Sequence, residues 1–569
     1  MKLFERFTQK APNKVFISIF LGAVAGIGYS ALIPLVLISV APQDTALMQV
    51  EAAPDIILGL EVAQLKLASV FFFACILILF VRTISEVMLL RVATLVSKDF
   101  RMEFYKRISS APIAALERLG SSKLIASINL DVPRVVMGAR VFPGLLVNAV
   151  SLIGMLGFLL YLNAEVFKLV ILAIVFGVVA YQIPMLVGRK IFTRARDTRD
   201  ELQEGLRALV YGAKELKLNN EKKKAFFKQI LVKHENDVLK DEKLAHTIVN
   251  ATASFGELLS FLVIGLVSFV FVNYHSITQE ELVGVVMALL YLVGPMGIVL
   301  NSIPQLTIAF VSVRKIDKLL GDIPEENASD NISSVKDWEK IRFNGVTYQY
   351  DSQNDEKGFR VGPIDLEIER GKVSFVIGAN GSGKSTLSKL ITLHYSPSEG
   401  QILFDSNQLE QSTLNSYRQE VCAIYTDFFL FDRVLTEIEE SSKSKIEEYL
   451  KLLHLSQKVS IKDGRFSTTS LSDGQRKRLA LLVAFLEDKS LYLFDEWAAD
   501  QDPVFKKVFY RQILPELKRK NKAVVVISHD DKYFDVADKL FVMDQGKLDT
   551  HLNSNQSDRI NQQLIAEYC

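Results

Sequence analysis

Apolar residues dominate six separate stretches, at about 15–40, 67–90, 144–162, 166–187, 257–273 and 282–303, with polar residues between them. Most are long enough to cross the hydrocarbon core of a bilayer as a helix. A backbone in lipid must satisfy its own hydrogen bonds, so a helix is predicted for each. Two long connections, about 91–143 and 188–256, carry Leu, Ile and Val at helical spacing among charged residues. That pattern predicts helices continuing past the bilayer, with tips near Ala114 to Ser127 and Gly212 to Asn220 that are candidate contacts for a soluble domain. The apolar pattern stops at Gly321 to Lys336, where Pro, Asn, Ser and acidic residues read as a linker. From Ile341 onward short β-branched runs, among them Lys372 to Ile377, Leu491 to Phe494 and Ala523 to Ile527, alternate with helical patterns. An α/β layer fold follows. The expected organisation is a six-helix transmembrane domain over 1–320, a linker over 321–337 and a soluble α/β domain over 338–569.

Charge gives this arrangement a direction, because loops rich in Lys and Arg stay on the cytoplasmic side. Lys2, Arg6, Lys10 and Lys14 precede the first span, and both long connections are dense in basic residues. Ala41 to Gln64 has no Lys or Arg but carries Asp44, Glu51, Asp55 and Glu61, and the turns near Asn163 and at His275 to Glu281 contain neither Lys nor Arg. Both termini, both connections and the soluble domain are therefore expected inside. Ser39-Val40-Ala41 has the look of a signal-peptide cleavage site, but the run from Val15 to Val40 is about twice the length of a signal-peptide core and reads as a retained span. A mean hydropathy of +0.21 with 23% charged residues fits a chain that is part lipid-embedded and part soluble. The net charge of +1 offers no basic field to draw in nucleic acid. Cys75, Cys422 and Cys569 have neither the pairing of a disulfide framework nor the spacing of a zinc site.

The chemistry lies in the second half. The strand Val373 to Ile377 runs into Gly378-Ala379-Asn380-Gly381-Ser382-Gly383-Lys384-Ser385-Thr386 and then a helix, which is a phosphate-binding loop in its required setting. Its glycines let backbone amides wrap phosphates, the helix N-terminus favours their charge, Lys384 reaches the β- and γ-phosphates, and Ser385 can ligate magnesium. A second apolar strand ends in Asp495-Glu496. Asp495 suits a magnesium ion held through water, and Glu496 suits a general base on the attacking water.

Between these lies Leu471-Ser472-Asp473-Gly474-Gln475, followed by a helix expected from Arg476, and His529 comes late in Ile527-Ser528-His529-Asp530. This order resembles the ATP-binding cassette of ABC transporters over about 338–550, and with six preceding spans the whole chain resembles an exporter-type half-transporter. The resemblance implies a P-loop nucleotide-binding domain using ATP and Mg2+. It implies that Ser472, Gly474 and Gln475 cap the γ-phosphate bound to the opposite subunit, that Asp502 sits in the loop joining the two sites, and that His529 contacts the γ-phosphate. One cassette per chain then implies a homodimer with two equivalent sites. Val346 to Tyr350 resembles the cassette's opening strand, where an aromatic ring stacks on adenine. Tyr350 is the candidate, and Tyr348 competes with it. Most cassettes carry a magnesium-contacting glutamine where this chain has Thr426. Either the Thr426 hydroxyl or Asp427 could stand in, and Asp473 replaces a usual glycine.

The run Asp495 to Pro503 (DEWAADQDP), with Lys214 to Asn219 (KELKLN), resembles the branch that exports cyclic peptides, siderophore peptides, lipopeptides and microcins from bacteria. A peptide-like or amphipathic cargo crossing the inner membrane is implied. The alternatives are a lipid or multidrug flippase, or an ATP-gated channel or regulator without productive turnover. Arg82 and Glu86, four residues apart in the second span, read either as a structural ion pair or as part of a polar translocation cavity.

Overall fold

The computed structural model describes residues 2–40, 55–57, 60–62, 65–275, 277–326, 335, 337–350, 358–436 and 442–551. Asp44, Glu51, most of the linker and Cys569 lie outside the described residues. The chain divides into two compact units, Met1–Tyr105 with Ser122–Gly321, and Lys106–Ser121 with Asp322–Cys569.

Long helices build the first unit: α1 (Lys2–Lys10), α2 (Pro12–Val40) and α3 (Leu65–Ser109), then, after the short α4 (Ile113–Leu119) of the second unit, α5 (Val132–Leu162), α6 (Ala164–Tyr211), α7 (Lys233–Gly265) and α8 (Gln279–Gly321). Six helical stretches are long and apolar enough to cross a membrane. Each apolar run coincides with one of them; α3 and α6 continue well past the apolar part as the periodicity predicts, and α8 also continues past its apolar part. Phe72, Phe73, Phe80, Ile153 and Val179 are exposed on the unit, where only lipid would cover them without cost.

Hydrophobic burial drives little association between helices in lipid, so small residues and hydrogen bonds carry it. At the α2–α3 crossing the Ser18 hydroxyl donates to the Ser85 carbonyl at 2.8 Å and the Ser85 hydroxyl to the Ser18 carbonyl at 2.7 Å. A Cβ on Gly26 would stand 2.6 Å from the Val147 carbonyl oxygen, so glycine is needed for α2 to reach α5. Arg82 lies on the α3 stripe that buries Ile78, Ser85 and Leu89. Its Nε donates to Glu86 Oε1 at 2.9 Å and its NH1 to the Tyr29 hydroxyl at 3.2 Å. Both side chains keep about 40% of their surface open, at 40% and 43%. A cavity of about 400 Å3 opens between α5, α6, α7 and α8. Its walls are aliphatic, Leu152, Val170, Leu259 and Leu292 among them, with the Tyr181–Asn301 pair as its polar edge.

The second unit is an α/β layer. Its main sheet has the order β9-β8-β3-β7-β6-β5, from Lys547–His551 (β9), Lys539–Asp544 (β8), Val373–Ile377 (β3), Ala523–Ile527 (β7), Leu491–Asp495 (β6) and Val421–Ile424 (β5). All neighbours pair in parallel except the antiparallel β8–β9. β3, β6 and β7 are buried at every position, as continuous apolar strands covered on both faces should be. An antiparallel sheet of β1 (Lys340–Gln349), β2 (Arg360–Glu369) and β4 (Glu399–Phe404) packs beside it. Three chemistry-bearing segments leave the carboxyl ends of β3, β6 and β7, where open parallel sheets bind ligands.

Candidate nucleotide site

The loop after β3 has a backbone that glycine alone tolerates. Gly378 has φ 150°, and a Cβ there would lie 2.2 Å from the Met543 carbonyl oxygen; Gly383, at φ 107°, turns the chain into α9 (Lys384–Ile391). Lys384 folds over the loop, donating from Nζ to the carbonyls of Gly378 at 2.8 Å and Ala379 at 2.9 Å. Burial pulls its pKa down, against the pull of Glu496 and Asp495. Asn380, Gly381 and Ser385 are exposed on the open side, whereas the Ser382 hydroxyl is buried without a hydrogen-bond partner. Such a set of turned amides, an orphan hydroxyl and an ammonium fits a polyphosphate.

Asp495 closes β6 and is buried; burial, then the charge of Glu496, pushes its carboxyl up to about 6 against the counter-pull of Lys384, and Asp427 adds to the rise. Glu496 follows in the left-handed region at φ 50°, its N–H donating to the Ile527 carbonyl at 3.0 Å. That turn ties the end of β6 to β7 and brings Glu496 Oε1 within 3.5 Å of His529 Nε2. The Thr426 hydroxyl donates to the Asp495 carbonyl at 3.3 Å, and Thr426 and Asp427 are both exposed. The Thr426 hydroxyl and the Asp495 carboxylate are hard oxygen donors of the kind a divalent cation takes, with Asp427 and Glu496 acting on Asp495 through their charge, but among the described residues no three His, Cys, Asp or Glu side chains converge to hold a metal ion.

The signature segment is placed by a capping box. Ser472 Oγ accepts from the Gln475 N–H at 3.4 Å while the Ser472 N–H donates to Gln475 Oε1 at 3.3 Å. This reciprocal cap starts α10 (Asp473–Glu487) at Asp473, which corrects the expected start at Arg476. Asp473 points into solvent with 85% of its side chain exposed, facing Arg476 at 3.9 Å, so its charge is hydrated. Among the described residues no hydrogen bond or ion pair joins Ser472, Gly474 or Gln475 to the chain's own phosphate loop.

The unusual run after the carboxylates locks onto α10. Lys477, 3% exposed, donates from Nζ to the Glu496 carbonyl at 3.0 Å and pairs with Asp500 at 2.8 Å. The indole N–H of Trp497 donates to the Lys477 carbonyl at 3.0 Å, and its ring stacks on Phe509 with centroids 4.4 Å apart. Gln501 Nε2 donates to the Gly474 carbonyl at 3.0 Å and Gln501 Oε1 accepts from Arg478 Nε at 2.8 Å. Arg478 also pairs with Asp502, which caps the next helix by accepting from the Phe505 N–H at 2.9 Å. Lys477, Arg478, Trp497 and Gln501 were not singled out from the sequence; a lysine on the otherwise apolar stripe of α10 was the one available signal. Trp497→Ala is expected to cost about 3–5 kcal/mol, seen as an earlier unfolding transition in calorimetry of the full chain.

Both candidate adenine-side rings fall in one aromatic group. Tyr348 stacks on Tyr395 with centroids 4.4 Å apart, and Tyr350 meets Tyr348 edge-on at 5.1 Å. The Tyr350 hydroxyl pairs with Thr386 Oγ1 at 2.9 Å, which fastens this ring to α9.

With this geometry in view, comparison with known proteins is direct. Residues 361–499 match the family model described as ABC transporter. The ATP-binding protein SyrD of Pseudomonas syringae pv. syringae is 33% identical over 78% of this chain and 81% of its own length. An ATP-dependent lipid A-core flippase of Shewanella oneidensis is 24% identical over 79% of this chain and 76% of its own. A bacterial Atm1-family ABC exporter solved with ATP bound superposes with a TM-score of 0.71 over 99% of both chains at 15% identity, a likeness of fold. Six membrane-length helices, the phosphate loop and its carboxylates, and a relative matched over most of both chains establish that this protein belongs to the ABC exporter half-transporters, multi-pass membrane proteins that couple ATP hydrolysis to transport.

Proposed function

We propose that two copies of this chain form a homodimer in the bacterial inner membrane, with both termini and the nucleotide unit cytoplasmic, and that ATP hydrolysis drives outward passage of a peptide-like cargo. Under this reading each site takes its phosphate loop from one copy and Ser472, Gly474 and Gln475 from the other. Gly378 to Thr386 cradle the phosphates, Tyr350 flanks the base, and Ser385, Asp495 and Thr426 hold Mg2+, which when bound neutralises charge on the β- and γ-phosphates. Glu496 takes the proton of the attacking water, His529 holds Glu496 and the γ-phosphate in register, and Asp502 orders the loop between the two sites. The proposed boundaries are a membrane domain over 1–320, a linker over 321–337 and a cassette over 338–569.

The observation that carries the cargo class is the run Asp495 to Pro503 together with Lys214 to Asn219, which resembles the peptide-exporting branch, and the match to SyrD over most of both chains is in keeping with an exporter. The aliphatic cavity beside α5 to α8 and the polar Tyr29–Arg82–Glu86 group support an amphipathic peptide. The match to lipid A-core flippases favours a lipid as second reading. ATPase stimulation of the lipid-reconstituted protein across peptides, siderophores and lipids separates the two. A peptide is expected to stimulate, and Arg82→Ala is expected to abolish that stimulation and export while basal hydrolysis stays within about twofold, because an intramembrane charge removed from a cargo path leaves the nucleotide unit intact. Stimulation by lipid alone would reverse the assignment, and unchanged export by the variant would remove Arg82 from the path.

A further inference from the structure

His529 leaves the end of β7 with its side chain 51% exposed, its Nε2 3.5 Å from Glu496 Oε1. A half-exposed ring keeps much of its rotamer freedom, so its place depends on how firmly the backbone on either side is held. Both neighbours are pinned to one buried phenol. The Tyr510 hydroxyl pairs with Ser528 Oγ at 2.7 Å and donates to Asp530 Oδ2 at 3.0 Å. Ser528 Oγ also accepts from the Asp530 N–H at 3.0 Å, which closes a bracket around His529. Ser528 and Tyr510 are buried, and the Tyr510 ring stacks on Tyr533 with centroids 4.3 Å apart. Burial pushes the Tyr510 phenol above its ordinary pKa, so it stays a donor at neutral pH.

Asp530 has a second hold. Lys506 Nζ donates to both of its carboxylate oxygens, at 2.8 Å to Oδ1 and 3.1 Å to Oδ2. Lys506 belongs to α11 (Pro503–Val508), and Tyr510 follows in the π turn Phe509–Ile513. The two residues are four apart, so they reach Asp530 from one side of the same helical stretch. The start of α11 is itself fixed, because Asp502 caps it and pairs with Arg478 of α10. A charge-assisted pair and a phenolic bond therefore meet on the carboxylate next to His529, and both come from a helix with little freedom to move.

We propose that Asp530, gripped by Lys506 and Tyr510, is the positioning residue for His529 in ATP hydrolysis: it fixes the backbone from which the imidazole meets Glu496 and the terminal phosphate. This rests on the reading of Glu496 and His529 given above. A misplacement of the imidazole by about 1 Å is enough to lose on the order of 100-fold in rate, while the phosphate loop still holds nucleotide.

The test measures kcat and KM for radiolabelled ATP on the full-length protein in lipid nanodiscs, for single variants and in a double-mutant cycle with His529→Ala. Asp530→Ala is expected to lower kcat by on the order of 10- to 100-fold with KM within about twofold of the parent. Lys506→Met should show the same split with a smaller loss, because the Tyr510 bond remains. In the His529→Ala background, Asp530→Ala should change kcat by no more than about twofold, since a residue that acts through the imidazole then has nothing left to position. Parent-like kcat in Asp530→Ala would overturn the proposal. So would losses that multiply in the double variant, the pattern of a contact that serves only the fold. Asp530→Asn, which keeps the shape of the side chain, runs through the same cycle and decides the matter if the alanine variant does not fold. A His529→Ala protein at the parent rate would instead remove His529 from the reaction, and this proposal with it.

Discussion

Glu496→Gln should lower ATP turnover by about 100- to 10,000-fold while leaving nucleotide affinity near that of the parent protein. The amide keeps the size of the carboxylate and can still accept from His529, but it no longer takes a proton from water. Its backbone role is untouched: the N–H bond to the Ile527 carbonyl and the Lys477 bond to its carbonyl do not involve the side chain. Initial rates of phosphate release, with equilibrium binding of a fluorescent ATP analogue, separate the two effects. Turnover within tenfold of the parent would place the base elsewhere.

The second large effect is one of restoration. Lys384→Ala removes the ammonium from the phosphate loop, and Gly474→Asp adds a carboxylate to the signature where even a Cβ would stand 2.7 Å from the Asp500 carbonyl oxygen. Each variant alone should lose at least about 100-fold in turnover, since each homodimer spoils both of its sites. In a mixed dimer the two lesions meet in one site, and the other keeps an intact loop facing an intact signature. Co-purified mixed dimers, selected with two different affinity tags, are therefore expected to regain hydrolysis that neither parent homodimer shows. No recovery would mean that a complete site lies within one chain.

The chemistry of this protein was legible where it depends on consecutive residues. A strand, Gly378 to Thr386 and a helix form one continuous sentence of sequence, and Asp495-Glu496 at the end of an apolar strand is another. The membrane helices were equally plain because lipid imposes length and composition on each of them singly. What escaped notice depends on pairs far apart in sequence. Lys477 reads as an ordinary helical lysine until folding sets it against Glu496 and Asp500, and Glu117 reads as one more charge on a short helix until Lys389 and Tyr395 arrive. The start of α10 was displaced because the cap needs Ser472 and Gln475 to answer each other, and the basic run from Arg476 drew attention downstream. Tyr348 and Tyr350 could not be separated by pattern, since both fall in the same short run Val346 to Tyr350, and folding gathers both rings into one group with Tyr395.

The stacked, fully buried indole of Trp497 has an optical consequence. The chain holds two tryptophans, the other being Trp338, which packs edge-on against Phe404 under the Arg370 guanidinium in the same unit. The membrane helices are thus silent in tryptophan emission, and a Trp338→Phe protein would report from a single chromophore one peptide bond away from Glu496. Nucleotide-driven rearrangement around that carboxylate can then be followed by intrinsic fluorescence in real time, with no label added.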